Sequence, residues 1–83
     1  MNDFKTVCVE WDDALSTSDN SWKPLSEIQA TPVAKVTSVG FMVTDELDRV
    51  ILVNSLIADG DAGGDVVIPR GMIRRITILE PAE

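Results

Sequence analysis

Three arginines near the end of the chain, Arg70, Arg74 and Arg75, hold three of its seven basic charges within six residues. A guanidinium is a planar fork that fits phosphate oxygens and base edges, so such a cluster is a candidate anion or nucleotide site. On a regular strand Arg74 and Arg75 point to opposite faces and form no single patch. The ordinary alternative is that all three pair with carboxylates, on the surface or at a subunit contact, and the chain has fourteen acidic residues to offer them.

Other groups capable of chemistry are sparse. The loop Asp59-Gly60-Asp61-Ala62-Gly63-Gly64-Asp65 alternates oxygens with glycine in the manner of a calcium loop. However, Gly63 stands at the fifth position and Arg70 replaces the bidentate glutamate at the twelfth, so a hairpin loop is the better reading. The pairs Asp12-Asp13 and Asp45-Glu46 fall in turns, where water keeps both partners ionised and favours no acid–base division of labour. Cys8 is the single cysteine and there is no histidine, which removes internal disulfides, the common Cys/His zinc sites and the usual activator of a thiol nucleophile. No enzyme activity and no cofactor are expected. Trp11 and Trp22 could stack a base if exposed, but both fit a core, with Trp22 anchoring a helix to the sheet.

The elements that must position these residues are mostly strands. Ten valines and seven isoleucines against six leucines favour pleated structure. Val7, Val9 and Trp11 alternate with Cys8 and Glu10 as on a half-buried strand, which Asp12-Asp13 ends. Residues 16–21 form a polar loop. Ser21 can cap a helix of one or two turns with Pro24 in its first turn, and Trp22, Leu25 and Ile28 lie on one face of it. Pro32 ends that helix. From Val33 to Val43 the pattern is again β, with Ala34 and Val36 on the even register and Val39, Phe41 and Val43 on the odd one. This predicts a register switch near Ser38, beside Gly40. After the polar turn 44–49, the run Val50 to Ile57 is apolar on both faces and must be covered on both sides, the second cover being available from another subunit. Val66-Val67-Ile68 is a short strand, Pro69-Arg70-Gly71 a tight corner, Met72 to Leu79 the last strand, and 80–83 a frayed tail. The whole of 1–83 reads as one mainly β (α+β) domain, a small five-stranded SH3-like or Sm-like barrel with one short helix.

The ending Gly64-Asp65-Val66-Val67-Ile68-Pro69-Arg70-Gly71-Met72-Ile73-Arg74-Arg75-Ile76 resembles the second signature of Sm-like proteins, in which a strand runs through an Arg-Gly corner into a final strand that pairs with a neighbouring subunit. The stretch from Val39 through Leu52 resembles the first signature. It lacks that signature's Asn in the turn Asp45-Glu46-Leu47-Asp48-Arg49, and a strand precedes the helix where Sm-like proteins open with the helix. The chain is also similar to small uncharacterised bacteriophage proteins with a Trp-Asp-x-Ala start, a Ser-Val-Gly centre and an Ile-Pro-Arg/Lys ending. These resemblances imply a homo-oligomer, possible as a ring, with Arg70 and Gly71 as candidates for nucleotide or single-stranded RNA contact. With the two-sided apolar run, they make Ile51, Val53, Ile57, Ile73, Ile76 and Ile78 the candidate oligomer interface.

Composition bounds what such a domain can do. Its net charge of −7 repels phosphate backbones at long range and disfavours general nucleic-acid binding. A domain this small buries only about 60% of its unfolded surface and is usually supported by disulfides, a metal or oligomerisation. With the first two disfavoured, oligomerisation is the expected support. No apolar run approaches the roughly 20 residues that span a bilayer, so no membrane role is expected. The N-terminus has no signal-peptide pattern, and the lone thiol fits the cytosol, that of a bacterial host if the chain is phage-encoded. Three functions follow as expectations: a self-associating binding or scaffold module, an Sm-like nucleotide or RNA binder, and an accessory protein directed at a host factor.

Overall fold

A computed structural model describes residues 4–14 and 21–80; the expected polar loop at 16–20 and the end of the tail, 81–83, lie outside the described residues. In chain order the elements are β1 (Thr6–Asp13), α1 (Leu25–Gln29), β2 (Ala34–Asp45), β3 (Arg49–Val53), β4 (Ser55–Leu56), β5 (Ala62–Gly63), β6 (Val66–Pro69), a 3₁₀ turn (Arg70–Met72) and β7 (Ile73–Ile78). Five strands form one antiparallel sheet in the order β6-β3-β2-β1-β7, and β4 pairs with β5 as an extension of the β3–β6 hairpin. The mainly β class with one short helix is therefore observed, and the sheet is open, because no pairing joins β6 to β7 among the described residues.

The core lies on one face of this sheet. Val7, Val9 and Trp11 of β1 pack with Val50 and Leu52 of β3 and Ile68 of β6, and Val36, Met42, Val66, Ile73 and Ile76 close around them. Val7, Val9, Val50 and Ile68 are wholly inaccessible, yet α1 buries none of its residues. Among the described residues no second layer covers the sheet, so the sheet must curl over its own inner face. The 3₁₀ turn between β6 and β7 touches β1, which brings the far side of the curl against its middle.

β2 carries the curl. Its first half pairs with β1 and its second with β3, and Phe41 faces both Thr6 and Val53 at the hand-over. The even residues face the core in one unbroken register from Ala34 to Met42, so the switch expected at Ser38 is absent. Ser38 is turned inward because its hydroxyl accepts a hydrogen bond from Trp11 Nε1 at 3.0 Å. The irregularity falls later, between Met42 and Thr44, where Val43 is the extra residue of a bulge. Gly40, beside the hand-over, is packed so closely that an added Cβ would lie 2.6 Å from the Val53 carbonyl oxygen.

The expected strand from Val50 to Ile57 is broken. β3 ends at Val53, the chain bends at Asn54, and Ile57 lies beyond β4. Gly64, opposite Asn54, has φ +68, the left-handed region that suits glycine. The helix also departs from expectation. It starts at Leu25 with Pro24, not Ser21, at the N-cap position and no side-chain cap. Trp11 takes its place in the core, but Trp22 is fully exposed and anchors nothing. A five-residue helix bracketed by Pro24 and Pro32 has few ways to lie down on the sheet, since each proline holds the residue before it extended.

Candidate functional site

The final strand places two of the three arginines. Across from it on β1, Glu10 faces Arg75 while Trp11 faces Ile73, so Arg74 is an extra residue, a bulge. The bulge turns Ile73 to the core and, against the expectation from alternation, brings Arg74 and Arg75 to the same outer face. Arg74 Nε donates to Asp12 Oδ1 at 2.8 Å, and Arg75 Nε lies 3.7 Å from Glu10 Oε2. Glu10 and Asp12 are two apart on β1 and so share a face. The signal for this was present: Ile73 sits off the even register of Ile76 and Ile78, and an inward Ile73 requires one extra residue between them.

Arg70 occupies the 3₁₀ corner and closes it onto the β2–β3 turn. Its Nη2 donates to the Glu46 carbonyl at 2.7 Å and is paired with the Asp45 carboxylate, its Nε reaches the same carbonyl, and its backbone N–H donates to the Asp48 carbonyl. The guanidinium is thus spent on a turn that Arg49 and Asp48 reinforce with their own pair at 2.8 Å. All three arginines pair with carboxylates, the ordinary alternative. Gly71 beside Arg70 is exposed, with no atom near enough to crowd an added Cβ. A phosphate at this corner would first have to displace Asp45 from Arg70.

The residues expected at an oligomer interface do not gather on one surface. Val53 is only 5% exposed, and Ile73 and Ile76 pack against the chain's own core. Ile51 is half-buried on the outer face, and Ile57 and Ile78 are exposed at separate places, the hairpin loop and the end of β7.

The apolar surface that is free lies elsewhere. On α1 and the residue run before it, Trp22 is 100%, Leu25 67% and Ile28 54% exposed. On the outer face of the sheet, Val39 is 57% and Val67 52% exposed. Strand pairing places these two at the ends of a diagonal that runs through Phe41, Val53 and Ile51, of which Phe41 and Ile51 are half-buried and Val53 is buried, with Cys8 opposite Val39. In the Asp59–Asp65 loop the Asp59 carboxylate accepts from the Asp61 amide, a local turn contact. Among the described residues no cluster of three or more His, Cys, Asp or Glu could hold a metal, and no helix is long and apolar enough to cross a membrane. Comparison with protein-family models, curated proteins and solved structures returned no match to this chain.

Proposed function

We propose that this protein is a non-catalytic small barrel-like module that self-associates and serves a binding or scaffold role. The observation that carries the reading is the set of apolar side chains left uncovered: Trp22, Leu25 and Ile28 on and before the short helix, and Val39 and Val67 on the outer sheet face. Small domains rarely leave contiguous apolar patches without a partner for them. The curled, self-covering sheet supports the barrel-like part of the reading. Light scattering on the eluting peak of a size-exclusion column tests the whole: a defined oligomer is expected, and a monomer at every concentration refutes it.

The nucleotide or RNA reading is the weaker one, because Arg70 is already committed to Asp45 and Glu46. It predicts a raised 260 nm absorbance in the purified protein and single-stranded RNA binding at low salt that Arg70→Ala abolishes. Binding that is absent, or indifferent to Arg70→Ala, removes it.

A further inference from the structure

Building on the self-association reading, we propose that the arm carrying Trp22, Leu25 and Ile28 docks on the outer sheet face of a second copy, around Val39, and that two copies exchange arms reciprocally.

The arm is built to leave its own domain. Pro24 at the N-cap is extended, with ψ 139, the Thr31 N–H closes the other end by donating to the Ile28 carbonyl at 3.1 Å, and none of the residues between is buried. Only residues 31–33 separate the arm's turn from β2, too short a tether to fold the helix back along that strand to Val39 without reversing the chain at Pro32. A helix of one turn gains nothing by itself in water, so its apolar row is stable only when docked. The same chain supplies a receptor of the same character in the Val39–Phe41–Ile51–Val67 band. Charges of both signs border each surface, Lys23 and Glu27 on the arm and the cross-strand pair Lys35 and Asp12 beside the receptor, so they set no preference and docking rests on apolar area.

Area decides between one arm and two. A fully exposed tryptophan offers about 200 Å², and Leu25 and Ile28, each roughly half to two-thirds exposed, add about 60 Å² apiece from the usual worth of a buried aliphatic side chain. One arm against an equal receptor area thus removes about 650 Å², short of the roughly 1,200 Å² at which specific interfaces begin. Two symmetric exchanges remove about 1,300 Å² and reach it. A reciprocal two-fold dimer is therefore the smallest assembly in which arm docking alone suffices, and it closes on itself, leaving no free arm or receptor.

Sedimentation equilibrium of the full chain from about 1 to 200 μM tests this. A reversible dimer is expected, with Trp22 emission shifting to the blue as it forms. Leu25→Asp/Ile28→Asp, and separately Val39→Asp, should each weaken association at least tenfold, while far-ultraviolet circular dichroism and the urea midpoint of the monomer stay unchanged. Should Val39→Asp disturb the strand, Val67→Lys on the same band serves in its place. A wild type that is monomeric throughout overturns both this inference and the self-association reading. An oligomer that survives the arm variant overturns only the arm. Loss of the dimer in the arm variant but not in the face variants overturns the receptor, and a species larger than a dimer overturns reciprocal exchange.

Discussion

Gly40→Ala is the sharpest probe of the curl in β2. The added methyl would sit 2.6 Å from the Val53 carbonyl oxygen, 3.3 Å from its carbon and 3.4 Å from Leu52 Cβ. An ordinary contact needs close to 3.4 Å, so either β2 or β3 must move by several tenths of an ångström where the ladder passes from β1 to β3. The obstacle is backbone, not the end of a side chain that can swing aside. Leu52 and Val53 are themselves almost wholly buried, so β3 cannot retreat without opening the core. Overpacking of this kind costs about 1–3 kcal/mol, and the lower chain entropy of alanine in the unfolded state returns about 0.5–1 kcal/mol. The difference spans about 0–2.5 kcal/mol, and because the obstacle is backbone that cannot swing aside the upper half is expected, about 1.2–2.5 kcal/mol, which for a domain of this size lowers the melting temperature by roughly 5–20 °C. Gly71→Ala is the control: nothing lies within reach of its added Cβ, its φ is not positive, and its effect should stay within about 0.5 kcal/mol. Urea unfolding followed by circular dichroism reads both, at a protein concentration where assembly is constant. A Gly40→Ala protein as stable as wild type, or a Gly71→Ala protein equally destabilised, would refute the close passage of β2 over β3.

Two further outcomes follow from the polar contacts. Ser38→Ala removes the acceptor of Trp11 Nε1, in a residue only 8% exposed, and should cost about 1–3 kcal/mol of unfolding free energy from urea titration, whereas Ser38→Thr, which keeps the hydroxyl, should cost less. A double-mutant cycle on Arg74 and Asp12 should give a coupling below about 1 kcal/mol that shrinks with added salt, since both groups are more than a third exposed.

The sequence made some elements plain and misled about others for definite reasons. Val7-Val9-Trp11 alternates cleanly because its odd residues face the core while Cys8 and Glu10 turn to the outer face, so period and burial agree. The corner Pro69-Arg70-Gly71 announced itself through proline chemistry, and the 3₁₀ turn stands there. In β2 the period pointed to the wrong face. Its inward residues include Ser38 and Gly40, one chosen to satisfy an indole N–H and the other to admit a neighbouring backbone, and neither reads as core. Its outward residues include Val39 and Phe41, which read as core but are turned to the other side. A count of apolar positions cannot separate residues turned to the core from residues turned to the outer face. Trp22 misled for another reason: Pro24 takes the N-cap position, so the helix begins at Leu25 and Trp22 precedes it, off the face its spacing suggested. The arginines were legible as a cluster, but their partners were not, because the bulge that aligns Arg74 with Arg75 depends on the pairing with β1.

The pairing of Asp13 with Ala34 gives the fold a point of replaceability. The chain leaves the sheet at one of these residues and returns at the other, so the twenty residues 14–33 are an excursion whose two ends are already side by side. Shortening that excursion fourfold would leave the ladder untouched and lower the entropy of closing it by about 1.2 kcal/mol. Among the excursion's described residues, those of α1 bury nothing against the sheet. Residues inserted or removed between Asp13 and Ala34 therefore change loop length without changing the register of β1 on β2.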